Sequence, residues 1–546
     1  MRKKITTKED EPSIQEEMGQ AAARYSKLET LRASYLKRAR DASQLTIPSL
    51  VPPQGTSSAT ELYKPFQSMG ARGVNNLASK LLLSLFPSNT PFFKLTIDEF
   101  ELLKAVGPDG AATPDGKSML ADMQEGLAKI ERAVMSEIDS THIRVQLFEA
   151  LKHLIVAGNV CLYMPKEGGI RVFHLNRYVC KRDPMGNLTE IIVKETVDPD
   201  TLEPRLAEFV CAVKPETEAR GGDDSAVDMY THILLEDGKW YVQQEVANKV
   251  IPWTVGTYGS DNFPWIVLRY AVIGGEDYGR GFVEEYQGDL YSLEGLAQAI
   301  VEGSAAAAKV LFLVDPNGST SAEACAEAPN GAFIEGMARD VTALQLQKQA
   351  DLQVAANTSK EIQNSLAYAF MLNSAIQRNG ERVTAEEIRT MVAELESALG
   401  GVYSVLSQDL QLPLAKRLMA QMAAQKRLPL LPKKIVRPTI ATGVEALGRG
   451  NDLAKLNQFI GEIGQQMGPQ ILAQYINVPE YLSRRASALG VDAKGLVKDQ
   501  AQIQQEQQQA QQAQMMQQAV PNGVKAMGDM AKQHMENAAS APQPQQ

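Results

Sequence analysis

The chain has 546 residues, 44% hydrophobic and 22% charged, which is ordinary for a globular protein and enough for two to four domains with a sizeable core. A net charge of −10 speaks against a sequence-specific nucleic-acid binder, whose domain is usually basic. Four scattered cysteines with no CxxC pair argue against a zinc module and a disulfide scaffold, and fit a reducing cytoplasm.

The start, MRKKITTKEDEP, is charged and lacks an apolar core, so it does not read as a signal peptide. Residues 18–46 are predicted to form a helix with basic positions at Arg24, Lys27, Arg32, Lys37, Arg38 and Arg40. The simpler reading is a solvated face; the alternative is a contact to nucleic acid or to a neighbouring subunit. IPSLVPPQGTSS breaks that helix, and FQSMGARGVNNLASKLLLSLF forms the next, stopped at Pro87. GPDGAATPDGKS resembles a phosphate loop only superficially. Position 111 is Ala where a P-loop needs Gly, so the segment is predicted to be an acidic turn.

Residues 120–160 read as helical, with ALKHLIVAGNV as a buried helix end. The apolar stretch LKHLIVAGNVCLYM is too short to cross a bilayer and is interrupted by Lys152, His153 and Asn159. From Ile170 to Val272 the pattern turns to period two. IRVFHL, TEIIVKETV, EFVCAVK, VDMYTHILLE, KWYVQQEV and PWIVLRYAV are predicted strands of a mostly antiparallel sheet, with a hairpin at Asp237-Gly238. The fold class expected is α+β, mainly helical.

Beyond Gly279, Val283, Tyr286, Leu290, Leu293, Ala297 and Ile300 recur at steps of 3 and 4, a coiled-coil-like seam on a helix of about 30 residues and roughly 45 Å. Its other faces carry Glu284, Glu285, Asp289, Glu294 and Glu302, and no Lys or Arg occurs between Arg280 and Lys309. Residues 311–344 are a short β/loop excursion. Leu352, Ala355, Ser359, Ile362, Leu366 and Ala369 then repeat the seam, so the two helices and their tip read as a hairpin stalk or as an ordinary antiparallel helix pair. QRNGER follows as a polar, arginine-bearing loop. It ends at a capping box of Thr384 and Glu387, with Val383 and Ile388 as a hydrophobic staple. A helix runs from Ala385 toward residue 425, weakened at Gly400-Gly401. QKRLPLLPKKIVRP is a basic, proline-rich connector, and ATGVEALGRGNDLAKLNQFIGEIG opens a last small helical unit. From Gln500 to Gln518, twelve of nineteen residues are Gln, a tract that is either disordered or helical only when bundled with its own copies.

The chemistry of an enzyme is missing from this pattern. The five histidines show no ligand spacing, there is no G-x-S-x-G, and GRG at Gly279–Gly281 lacks the third glycine of a dinucleotide fingerprint. Glu284-Glu285 reads as a pair of surface charges on a heptad helix. No catalytic, cofactor or metal site is predicted.

Seven blocks, in order over roughly residues 40–460, carry a resemblance. They are ASQLTIPSL, GARGVNNLASKLLLSLFP, LFEALKHLIVAGNVCLY, YGRGFVEEYQGDLYSLEGLAQAI, AFMLNSAIQRNGERVTAEEIR, GGVYSVLSQDLQLPL and TGVEALGRGNDLAKL. Together they resemble the portal, or head-to-tail connector, proteins of short-tailed phages of the podovirus and Autographivirus type. Agreement fades at 311–344 and over the last 80 residues. The resemblance implies a ring of about twelve copies at one capsid vertex, with 1–280 as wing, 281–310 and 345–372 as stem helices, and 311–344 as clip. It makes 373–384 the tunnel loop, 385–430 a long wing helix, 431–499 the crown and 500–546 a Gln-rich tail.

It further implies a channel for genome packaging and ejection that nucleates procapsid assembly. The partners implied are the large terminase ATPase, scaffolding and major capsid proteins, tail adaptor and internal core proteins, and double-stranded DNA without sequence specificity. No cofactor and no membrane insertion are implied. Its place would be the portal vertex of the virion, after synthesis in the host cytoplasm. The alternative is another head–tail ring, an adaptor without a packaging role; an ATPase or nuclease lacks its motifs. Within the portal reading, Glu284, Glu285, Asp289, Glu294 and Glu302 are candidates for an acidic, low-friction channel wall. Arg378, Asn379, Glu381 and Arg382 are candidates for a narrow contact with DNA phosphates, the arginines otherwise pairing with carboxylates of the next subunit.

Overall fold

A computed structural model describes residues 20–53, 55–56, 60–87, 91–98, 114–213, 226–308, 311–344, 349–372, 399, 401–429 and 436–440, with a few positions between 458 and 532. The chain divides into two units, Met1–Val444 and Glu445–Gln546. In the second, residues 458–463 are helical.

Helix α1 (Ala21–Gln44) buries Tyr25, Leu28, Arg32, Leu36 and Ala39, a stripe at steps of three and four. Its basic residues mostly point to partners within the chain. Arg32 is wholly buried and donates to the carbonyls of Leu175 (2.7 Å) and Tyr178 (2.6 Å). Arg24 pairs with Glu190 at 2.6 Å, Arg38 with Glu284 at 3.1 Å, and Arg40 donates to Asn176 at 3.3 Å. A solvated basic face therefore describes only Lys27 and Lys37, both exposed. The guanidinium fork finds fixed acceptors on strands, a turn and a helix that lie far away in sequence.

Helix α2 (Met69–Leu85) buries Val74, Leu77, Leu81 and Leu85 in the core. Strand β1 (Phe93–Ile97) follows, then α3 (Pro114–Ser140), whose first turn absorbs the end of the expected acidic turn. Pro114 suits a first helical position because its φ is preset and its missing N–H is not needed there. Helix α4 (Ile143–Ala157) ends at Gly158, whose φ is +71°. A Cβ there would also lie 2.3 Å from the Arg280 carbonyl carbon, so only glycine fits. The expected helix to residue 160 thus stops three residues earlier, at Ala157, and β2 (Asn159–Tyr163) begins just after Gly158.

Strands β3 (Arg171–Phe173), β4 (Tyr178–Arg182) and β5 (Leu188–Val197) come next. EFVCAVK, expected as a strand, lies instead in helix α5 (Pro204–Val213), apart from its last residue. Its residues satisfy both periods, and tertiary packing decides. Leu206, Phe209 and Val210 share a helical face against Val227, Met229, Val246 and Ile251.

The hairpin of β6 (Val227–Glu236) and β7 (Lys239–Val246) turns at Asp237-Gly238, with φ values of 48° and 73°, as a two-residue primed turn requires. β8 (Lys249–Val250), β9 (Gly256–Gly259) and β10 (Trp265–Arg269) complete the region. The strands form an antiparallel sheet ordered β4-β5-β6-β7-β8, with β9 also on β7, and a second sheet ordered β10-β2-β3.

A short helix α6 (Phe282–Glu285) leads into α7 (Gln287–Ala307), which has 21 residues and is about 31 Å long, shorter than the single helix expected. The tip contains β11 (Leu311–Val314), α8 (Ala322–Glu327) and β12 (Val341–Leu344), with β11 and β12 paired antiparallel. Helix α9 (Gln349–Ala369) returns alongside α7. The periodic positions Leu352, Ala355, Ser359, Ile362, Leu366 and Ala369 are buried or half-buried while most others on α9 are exposed.

Helix α10 (Gly401–Leu406), a π-helical turn at Ser407–Gln411 and α11 (Leu412–Ala424) form one continuous run. Last comes β13 (Val436–Ile440), which begins within the expected connector and runs two residues past its end at Pro438, paired with β1 from about 340 residues earlier. One hydrophobic core runs from Leu36 to Val436 and takes in Leu290, Leu293, Leu366 and Phe370. The helix pair is thus rooted in the body at one end, and beyond Glu294 no residue of α7 is buried.

Candidate functional site: the helix pair, its root and its tip

Glu294 is the centre of the root. It is 7% exposed, and its carboxylate accepts from the Tyr63 hydroxyl (2.6 Å), the Phe66 amide (2.8 Å) and the Gln67 amide (3.3 Å). Gln67 continues the tie, donating to the Leu45 carbonyl at 2.7 Å and accepting from the Gly70 amide at 2.9 Å. The Glu294 carboxylate, accepting the phenol's hydrogen bond, pushes the Tyr63 pKa up. One acidic residue of α7 thereby holds the segment that links α1 to α2.

The second helix of the pair is fixed at the same root as firmly. Helix α9 stops with Met371 at φ +55°, and the Leu372 amide reaches back to the Ala367 carbonyl at 2.7 Å. This is a Schellman-type stop with methionine where glycine is usual. The Asn76 amide donates to the carbonyls of Phe370 (3.0 Å) and Met371 (3.2 Å), and the buried Lys80 ammonium to that of Met371 (2.7 Å). A cation at a helix C-terminus complements the orphan carbonyls and the dipole. Phe370 packs edge-on to Phe282 with centroids 5.4 Å apart, and against Gly73, where a Cβ would lie 2.5 Å from its ring.

The five acids expected on the first long helix therefore do not act as one set. Glu294 is bonded within the chain itself, and this corrects its assignment to an open wall. Glu284 is half-buried between Arg38 (3.1 Å) and Arg280 (3.4 Å). Glu285, Asp289 and Glu302 are exposed, Glu302 accepting from Gln298 at 2.8 Å. The loop residues Arg378, Asn379, Glu381 and Arg382, with the capping box at Thr384 and Glu387, lie outside the described residues. Asn76, Lys80, Tyr63 and Gln67 carried no signal in the sequence, because their partners are some 230 to 290 residues away.

At the tip, the residues that are most buried are polar. Asp340 accepts from the Ser319 amide (3.0 Å) and the Thr320 hydroxyl (3.1 Å), while Phe312, Leu313, Phe333, Ile334 and Met337 are exposed. Among the described residues no three His, Cys, Asp or Glu side chains are placed to hold a metal ion, and no helix is long and apolar enough to cross a membrane.

A helix pair rooted in an α+β body and ending in a small β tip is the layout the family resemblance implied. The profile of the family described as "Bacteriophage head to tail connecting protein" matches residues 18–497, and the chain belongs to that family. It is 44% identical over 514 residues to the portal protein of Enterobacteria phage T3, covering 92% of this chain and 91% of that one. It is 42% identical over 513 residues to the portal protein of Escherichia phage T7, covering 92% of each, and 30% identical over 457 residues to that of Enterobacteria phage SP6, covering 84% and 83%. Among solved structures, a chain from the neck of an empty GTA particle aligns over 78% of this chain and 90% of its own at 13% identity and a TM-score of 0.35, too slight a likeness to argue from. Members of the family are structural connectors between the head and tail of a phage particle.

Proposed function

We propose that the chain is the portal subunit of a short-tailed phage: about twelve copies form a ring at one capsid vertex and surround the channel through which the genome is packaged and ejected. The observation that carries this reading is the identity of 42 to 44% along more than nine-tenths of proteins named portal proteins. In the same reading the ring nucleates procapsid assembly with scaffolding and major capsid proteins. It docks the large terminase during packaging, and later the tail adaptor and internal core proteins. Double-stranded DNA passes without sequence-specific contact, the subunit is made in the host cytoplasm, and it has no catalytic role of its own.

Within this function α7 and α9 are the stem, 311–344 the clip and 373–384 the tunnel loop. Glu285, Asp289 and Glu302 supply repelling charge toward DNA, since a strongly basic wall would grip phosphates by counterion release. Arg378 and Arg382, partly offset by Glu381, form a narrow collar of phosphate contacts. Electron microscopy of the purified protein tests the class: a ring of about twelve subunits with a central hole is expected. A monomer, or a ring found on particles only outside the capsid, as an adaptor would be, would refute it.

A further inference from the structure

Four large apolar side chains on the helix pair are turned away from its seam. Tyr291 (73% exposed) and Val301 (54%) lie on α7, Val354 (65%) and Tyr368 (82%) on α9. The heptad gives their directions. With Leu290 at a and Leu293 at d, Tyr291 is b and Val301 is e; Glu294, also e, brings the exposed Tyr63 and Phe66 to that same side. With Leu352 at a, Val354 and Tyr368 are both c, beside g. In an antiparallel pair the b and e positions of both helices run along one flank, and the c and g positions along the other. The apolar positions of α7 and those of α9 therefore lie on opposite flanks.

That arrangement selects the kind of partner. An isologous contact sets one patch against itself and would leave the opposite flank bare. A head-to-tail contact between copies covers both flanks, and it is the kind that closes into a ring. The levels also match. A Leu352 methyl lies 3.0 Å from where a Cβ on Gly303 would sit, which sets the register of the pair. Because the two helices rise equally, Val301 is level with Val354, and Tyr291 is level with Asn364, one turn or about 6 Å from Tyr368. Gln298 and Glu361 stand between these apolar ends. Copies related by rotation about an axis parallel to the pair are displaced sideways with no change in level, so Val301 of one copy meets Val354 of the next.

We propose that the α7 flank of one copy packs on the α9 flank of the next, with Val301 against Val354 and Tyr291 against Tyr368. This rests on the ring reading above and names the surface that joins neighbouring stems.

The test is cross-linking of the full-length protein with a short bis-maleimide. The exposed Cys211 and the half-buried Cys325 are first changed to serine; Cys161 and Cys180 are buried. Val301→Cys and Val354→Cys combined in one chain should give a ladder of multimers on a denaturing gel, and each alone should give none. Dimers from either single variant would mean a two-fold contact and overturn the proposal. Electron microscopy of the same samples keeps the two readings apart. Rings that form but leave the double variant uncrosslinked would show these flanks free for a different partner, which overturns this contact and leaves the ring standing. A protein that forms no ring overturns both. Tyr368→Asp, placed away from Glu294, should raise the concentration of half-assembly about tenfold without lowering the melting temperature of the monomer. Unchanged assembly in that variant would also overturn the proposal.

Discussion

Replacing Glu294 by alanine removes an acceptor on which three donors converge: the Tyr63 hydroxyl at 2.6 Å, the Phe66 amide at 2.8 Å and the Gln67 amide at 3.3 Å. Hydrogen bonds to a charged group contribute about 1.5–3 kcal/mol each. Tyr63 is 43% exposed, so water replaces much of its bond, and the contact to Gln67 is long. The loss is therefore nearer to that of one strong and one weak bond, about 3 kcal/mol. It falls on the segment around residues 63–67, which Glu294 pins to α7, rather than on the whole core. Since each 1.4 kcal/mol is a factor of ten in an opening equilibrium, the Phe66 and Gln67 amides should exchange with solvent on the order of a hundredfold faster. Hydrogen-exchange mass spectrometry on peptides covering 60–70 reads this directly, with peptides from β5 and β6 as an unchanged control. Glu294→Gln keeps one acceptor oxygen and should show roughly a tenth of that acceleration. Exchange at 60–70 within threefold of the unaltered protein would refute the assignment of Glu294 as the tie.

Other outcomes follow from the same geometry. Burial pushes Glu190 up, but hydrogen bonds from His232 (2.9 Å) and Arg24 outweigh it and hold the carboxyl at about 2. A folded pKa below the ordinary 4.5 means that the unfolded chain binds the proton more readily. The stabilisation is therefore complete above about pH 4.5 and lost as the pH falls toward 2. Denaturant midpoints measured from pH 6 to pH 2.5 should fall, and Glu190→Gln should flatten the lower part of that slope. Gly158→Ala should destabilise by about 3 kcal/mol or more, because it combines a positive φ with a Cβ driven into the Arg280 backbone, and a lowered melting temperature or insoluble expression checks it. Lys80→Met should cost about 1–3 kcal/mol by leaving the Met371 carbonyl one donor short, seen as faster exchange at the end of α9. Neutralising Arg378 and Arg382 together should impair DNA packaging or retention while rings still assemble; normal packaging in that variant would end the phosphate-collar reading.

Much of the layout was legible before any coordinates. The paired seams of α7 and α9, the primed turn at Asp237-Gly238 and the alternation of β5 to β7 rest on local rules, in which period and turn residue constrain the backbone within a few residues. The family, too, was readable in the order of seven sequence blocks, and the profile match over residues 18–497 agrees with it. Where two periods fitted the same residues, as at Phe209, Cys211 and Val213, the sequence was ambiguous. The apolar patch of Val227, Met229 and Val246 selected the helix.

What the sequence by itself determined was periodicity, turn chemistry and kinship, because each is carried by neighbouring residues or by their order. Only the tertiary structure decided which charges are free. Glu294 and Glu302 look alike on one helix, eight residues apart, yet one is buried under three donors from residues 63–67 and the other faces solvent. Arg24 and Arg32 likewise share a basic helix with Lys27, but they end in contacts made by strands more than 140 residues away. Burial and pairing depend on which distant segments meet, and that is settled by the collapse of the whole core rather than by any window of the chain.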